Sequence, residues 1–123
     1  MNIQNMTINK VRALYKKETT LKELNQEIFN LAKTVDNKYN LFISLDDEHF
    51  ENTINRLSSI KTGEEDSLFG IPAVLGDNIC TEQLKTTCGS KILENYLSPF
   101  NAFAVDKLRE AGVIITGKTN IDE

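Results

Sequence analysis

Two short apolar runs, Ile71 to Leu75 and Val113 to Thr116, constrain the fold of this chain most. Each is too short for a typical helix, each contains β-branched residues, and the first ends in a tight polar turn at Gly76-Asp77-Asn78, so both read as buried strands. Between them lie an irregular Thr/Cys/Gly/Ser stretch from Thr81 to Ser90, a loop carrying Pro99 and one helical pattern. Strand, crossover helix, strand is the layout of a right-handed crossover within a parallel sheet, and the expected fold class is α/β. Two strands and a borderline third are few for a sheet covered on both faces, where about 4–6 are typical, so the sheet is expected to be incomplete.

The residues before Ile71 read mostly as helix. Ile8, Val11, Leu14 and Tyr15 recur at helical spacing, which predicts a short amphipathic helix from Thr7 to about Lys17 with Thr7 as cap. Thr20-Leu-Lys-Glu23 has the form of a capping box, and Leu24, Ile28, Leu31 and Val35 follow as an apolar stripe, predicting a second helix to about Asp36. Asn37 to Asn40 breaks that pattern, and Leu41 to Leu45 is consistent with a strand. Asp46, Asp47 and Glu48 place negative charge on the first turn of a third helix, whose buried face is Phe50, Ile54 and Leu57. That placement accounts for the acidic cluster without a metal. Polar Lys61 to Ser67 reads as a surface linker, dividing residues 1–66, a helical segment with one short strand, from residues 67–123, the start of an α/β core; together they make one partial domain. In the second part, Asn101 is expected to cap a helix over Ala102 to Ala111 with the face Ala104, Val105, Leu108 and Ala111, and Gly112 fits the position after its C-cap. Gly117 to Glu123 then reads as a turn leaving the last strand, at the carboxyl end where doubly wound folds place ligands.

Charge and cysteine content narrow the function classes. With 123 residues and a net charge of −4 spread through helical stretches, a basic nucleic-acid surface is not expected. No apolar stretch approaches the ~18 residues of a membrane span and Met1 to Thr7 lacks the pattern of a signal peptide, so a cytosolic protein is expected. Cys80 and Cys88 are not spaced as C-x-x-C and His49 is the lone histidine, which leaves no zinc set and two reduced, semi-buried thiols.

Local motifs supply no catalytic signature. Gly112-Val-Ile-Ile-Thr-Gly117-Lys-Thr119 matches the letters of a phosphate-binding loop. A phosphate cradle needs flexible, donor-rich backbone followed by a helix, whereas Val113 to Thr116 is stiff, strand-like and preceded by one, so the match is rejected. Lys85, Lys91 and Lys118 are expected to be solvated. Cys88 and Ser90 would act as nucleophiles only beside a base, and His49 lies on a helix far off in sequence.

From about Leu68 onward the residues resemble the amidase signature family, in its branch of A-type subunits of glutamyl-tRNA(Gln)/aspartyl-tRNA(Asn) amidotransferases. The resemblance is carried by Gly70-Ile-Pro72, Asp77-Asn78, Leu84-Lys-Thr-Thr-Cys88, Ser90 to Asn95, Leu108 to Gly112 and Gly117-Lys-Thr-Asn-Ile-Asp-Glu123. It reaches the N-terminal helices with less force. It implies a mixed, largely parallel amidase-type sheet and a glutamine amidase that releases ammonia for transamidation of a misacylated tRNA. It also implies B- and C-type partner subunits, with ATP and magnesium used by a partner and no cofactor in this chain.

The same resemblance implies a serine nucleophile, a second serine and a lysine base immediately before Asp-Asn. That position is Gly76, so no catalytic residue is assigned, and nothing in these 123 residues matches the serine segment. Lys85 and Lys118 each match a lysine that the family carries in its own right. The expectation is the N-terminal portion of an A-type subunit, truncated and inactive alone. The alternative is a non-catalytic module, derived from an amidase, that docks a partner through its N-terminal helices.

Overall fold

The computed structural model describes residues 3, 5–17, 20–60 and 67–122. Most of the linker assigned to Lys61 to Ser67 falls on residues 61–66, outside the described residues. Helix α1 spans Ile8–Lys17, α2 Leu21–Tyr39, strand β1 Phe42–Ser44, α3 Asp47–Ser58, β2 Pro72–Gly76, α4 Phe103–Glu110 and β3 Ile114–Thr119, with a 3-10 turn at Lys91–Leu93. The strands form one mixed, open sheet in the order β1-β3-β2. β2 runs parallel to β3, as the crossover pattern predicts, and β1 runs antiparallel along the other side of β3. No helix among the described residues is long and apolar enough to cross a membrane.

The starts of α1, α2 and α3 follow their local chemistry closely. Thr7 Oγ1 accepts from Lys10 N at 3.3 Å at the head of α1. At α2, Thr20 Oγ1 accepts from Glu23 N and Glu23 accepts in return from Thr20 N, a complete capping box. Asp46 caps α3 by accepting from His49 N at 2.7 Å.

The end of α2 and the start of α4 depart from expectation. α2 continues three residues past Asp36 to Tyr39. Asn40, at φ 53, closes it with its N–H on Asp36 O, while the Asp36 side chain accepts from Phe42 N at 2.8 Å and so fixes the exit into β1. At α4 the cap position is Ala102, which offers no side-chain acceptor. Asn101 is engaged elsewhere, accepting from Glu82 N at 2.7 Å and donating to Asp106 Oδ1 at 2.9 Å. Only Val105 is buried on α4, and Ala104 is exposed. Gly112, at φ 78, ends α4 in the left-handed conformation that its position requires.

β3 also runs further than its apolar run, through Gly117, Lys118 and Thr119, which therefore do not leave the strand. Two partners hold them there: Phe42 and Ser44 of β1 on one side, and Val74 to Gly76 of β2 on the other. The extra residue Thr116 bulges between Ala73↔Ile115 and Val74↔Gly117. Gly117 is demanded by the close approach of β1, because a Cβ there would lie 2.8 Å from the Ser44 carbonyl oxygen.

The sheet is packed on both faces through alternating residues of β3. Ile114 joins Phe29, Phe50, Ile54 and Leu57 of α2 and α3, with the Phe29 and Phe50 rings stacked at 4.1 Å. Ile115 joins Leu75, Leu84 and Val105 on the α4 side. A third cluster, Val11, Leu24 and Ile71, ties α1 and α2 to the start of β2. The buried face of α2 is thus Leu24, Asn25 and Phe29, and Leu31, placed in the expected stripe, is 40% exposed. Its outer apolar residues line a groove rather than the core.

Candidate functional site at the ends of strands β2 and β3

The carboxyl ends of β2 and β3 lie side by side, with Leu75 opposite Lys118 and Gly76 opposite Thr119. Asp77 follows β2 and is fully buried. Its Oδ2 accepts from Thr87 N at 2.9 Å and from the Thr87 hydroxyl, and its backbone N–H donates to Thr119 O at 3.0 Å. Its backbone carbonyl accepts from Cys88 N at 3.0 Å. One short sequence, Asp77 with Thr86-Thr87, therefore folds the loop after β2 back onto the strand ends.

Lys118 completes that arrangement, and here the sequence expectation is overturned: its side chain is fully buried rather than solvated. Nζ donates to Ile79 O at 2.8 Å, Lys85 O at 3.2 Å and Thr86 Oγ1 at 3.3 Å, and lies 3.5 Å from Asp77 Oδ1. That oxygen has no hydrogen bond among the described residues, so the ammonium is its electrostatic partner. Burial pushes the Lys118 amine below the ordinary lysine range, opposed chiefly by the Asp77 carboxylate. With its donors directed at two carbonyls and a hydroxyl, Lys118 ties the loop to the sheet and presents no free lone pair to a substrate. Removing one member of a buried pair of this kind typically costs about 3–5 kcal/mol.

Gly76 contrasts with it. Its backbone is not in the left-handed region, and an ideal Cβ would meet only the Asn78 side-chain oxygen at 2.9 Å and Ile121 Cγ2 at 3.6 Å. A turn of the exposed Asn78 amide would admit a side chain, so neither the conformation nor the packing requires glycine.

The other candidates are not brought together. Lys85 and Lys91 are exposed, as expected. Cys80 is half-buried but Cys88, at φ 52, is exposed rather than semi-buried. Ser90 Oγ accepts from Ile92 N at 3.3 Å to cap the 3-10 turn. His49 lies on α3, and among the described residues no hydrogen bond links its ring to Cys88 or Ser90. Gly112 precedes β3 and Gly117 lies within it, so the letters of the phosphate-loop match form no cradle and do not fit a nucleotide. Among the described residues no three His, Cys, Asp or Glu side chains gather as a metal site.

Sequence reasoning missed the Asp77–Lys118 pair. A signal was present, since Lys118 lies two residues beyond an apolar strand run, in register with a second strand that leads into Asp77, but a lysine's exposure is decided by what folds over it.

Comparison with known proteins agrees with this geometry. The Amidase family model matches residues 23–123. The A-type subunit of glutamyl-tRNA(Gln) amidotransferase from Thermoanaerobacter pseudethanolicus is 42% identical over 125 residues, covering 100% of this chain and 26% of that protein. The corresponding subunit from Thermotoga maritima has a similar structure, with TM-score 0.74 and 34% identity over 97% of this chain and 24% of its own. Native peptide amidase from Stenotrophomonas maltophilia superposes with TM-score 0.83 at 25% identity, over 98% of this chain and 26% of its own. The chain thus spans about a quarter of the length of the relatives it matches. With the family model covering most of its residues and the mixed sheet shared with these structures, the chain belongs to the amidase family.

Proposed function

We propose that this chain is a portion of an A-type amidotransferase subunit, the glutamine amidase that supplies ammonia for transamidation of Glu-tRNA(Gln) or Asp-tRNA(Asn), and that it does not hydrolyse glutamine by itself. Gly76 carries the proposal. It occupies the strand end, immediately before Asp77-Asn78, where the resemblance places the lysine base, and the buried Lys118 is too fully engaged to replace it. Loss of the base of a nucleophilic unit typically lowers rate about 10⁴–10⁶-fold. On this reading the chain works in the cytoplasm with B- and C-type subunits, and ATP and magnesium belong to a partner. The support is family membership together with 42% identity to an amidotransferase subunit of that type.

Ammonia release from glutamine by the purified chain is the test. No release above the buffer rate is expected, and Gly76→Lys alone is expected to give none, since nothing in residues 1–123 matches the serine segment. Steady glutamine turnover by the unmodified chain would overturn the proposal.

A second reading, a non-catalytic module that binds other subunits, is favoured by the apolar groove of 340 Å³ between α2 and the sheet, where Leu31, Leu41 and Val74 are exposed. Light scattering on the purified chain, alone and mixed with B- or C-type subunits, tests this reading, because a strictly monomeric protein that captures neither removes the support for a docking role.

A further inference from the structure

Away from the strand ends, a cleft of 580 Å³ opens between α3 and α4. Its α3 wall is His49, Asn52, Thr53 and Arg56, at i, i+3, i+4 and i+7, a polar face adjoining the helix's buried face of Phe50, Ile54 and Leu57. Arg109 and Glu110 at the end of α4 form the opposite wall, and apolar Val113 and Ile115 line the base. Gln83, held at φ 71 in the loop after β2, closes one side.

Among the described residues, the polar groups of this cleft have few partners. The Arg56 guanidinium makes no hydrogen bond or ion pair with the described residues, and the Arg109 guanidinium donates only to the Glu82 carbonyl at 2.8 Å. The acid on the wall, Glu110, is held by Lys107 at 2.7 Å. The side chains of Asn52, Thr53 and Gln83 have no hydrogen-bond partner among the described residues. Burial first, and the neighbouring Arg56 charge in addition, push the Arg109 guanidinium downward, with Glu82 and Asp106 opposing. Two guanidiniums facing one recess with an apolar base are matched by an oxyanion attached to an apolar body.

We propose that this cleft binds a small organic oxyanion, a carboxylate or phosphate on a compact apolar body, with the anionic group between Arg56 and Arg109 and the body against Val113 and Ile115. A polyanion fits less well, since an adjoining recess of 250 Å³ is lined by Asp46 and Glu48 and the chain carries a net charge of −4. The proposal is independent of the amidase function, because none of these residues belongs to the Asp77–Lys118 arrangement.

Amide NMR titrations of the 123-residue chain at fixed ionic strength test it, with phenyl phosphate, benzoate, inorganic phosphate and a twelve-nucleotide single strand as probes. Saturable shifts at Asn52, Thr53, Gln83 and Arg109 are expected with phenyl phosphate or benzoate, at a Kd of roughly 1 mM or below. The better of the two identifies the headgroup, and inorganic phosphate is expected to bind several-fold more weakly. Arg56→Gln, at an exposed position, is expected to weaken binding about tenfold and Arg56→Lys less. Arg109→Gln is expected to act similarly; should it disturb folding through the lost Glu82 contact, the Arg56 variants and the map of shifted amides decide. Absence of saturable shifts, shifts centred elsewhere, affinity unchanged by Arg56→Gln, or preferential binding of the oligonucleotide would each overturn the proposal.

Discussion

Gly76 and Gly117 occupy neighbouring parallel strands, close to the same carboxyl edge of the sheet, and only one of them is required by the fold. At Gly117 a methyl group would lie 2.7 Å from Leu45 Cδ2 and 2.8 Å from the Ser44 carbonyl, so β1 could not keep its place beside β3. At Gly76 the nearest obstacle is a side-chain amide that can rotate. The lesson is that glycine in a strand has two meanings. One records a close approach of backbone, whereas the other records the absence of a side chain that the site could have carried. The residues beside them reinforce the contrast: β3 contributes a buried ammonium one residue after its glycine, and the end of β2 contributes none.

The largest expected effect breaks the charged end of this comparison. Lys118→Met leaves the Asp77 carboxylate buried with its Oδ1 unpartnered, and a loss of about 3–5 kcal/mol is expected in urea denaturation. Adding Asp77→Asn to that variant should recover part of the loss, and equal losses in the single and double variants would show that the pair is not coupled. Gly117→Ala comes next. Overpacking against Ser44 and Leu45 is expected to cost about 1–3 kcal/mol and to speed amide exchange at β1, and a neutral result would mean that β1 yields freely. Gly76→Ala is expected to change stability by no more than about 1 kcal/mol, in the stabilising direction if Asn78 turns aside. A loss as large as that of Gly117→Ala would erase the distinction between the two glycines.

A pH-dependent contrast is read in alkaline solution, where groups packed at the two ends of β2 respond with opposite sign. At its start, the Gly70 carbonyl accepts from the Tyr15 hydroxyl at 2.6 Å and from Asn25 Nδ2 at 3.1 Å, a neutral network. Burial pushes the Tyr15 hydroxyl up from 10.0 to about 12. The unfolded chain then loses that proton first, and stability falls as pH rises from 10 toward 12. Lys118 is shifted downward, so below its ordinary value of 10.5 the unfolded chain binds more protons and stability rises with pH across that window. Tyr15→Phe should remove the falling limb, and Lys118→Met the rising one. Chemical denaturation between pH 8.5 and about 11.5 checks both, and a variant slope identical to the parent's would refute the corresponding assignment.

Local chemistry made much of this molecule legible. The capping box at Thr20, the acidic start of α3, the buried face Phe50, Ile54 and Leu57, the parallel strand pair and the left-handed Gly112 all follow from neighbouring residues. The misses share a cause. Asn101 caps nothing because Glu82 and Asp106 engage its amide, and α2 runs on to Tyr39 because Asp36 reaches forward to Phe42. Lys118 bonds to carbonyls 39 and 33 residues earlier in the chain, contacts that no sequence window spans.

By itself the sequence determined the element types, the α/β class, the membership carried by its motifs and the absence of an amine at Gly76, because each depends on residue identity and on spacing along the chain. Only the tertiary structure decided which lysine is dehydrated, how far β3 extends, which glycine is needed, and that Arg56 and Arg109 face one cleft. Burial, backbone approach and charge proximity belong to pairs of residues far apart in sequence, and they come into being when the chain closes on itself.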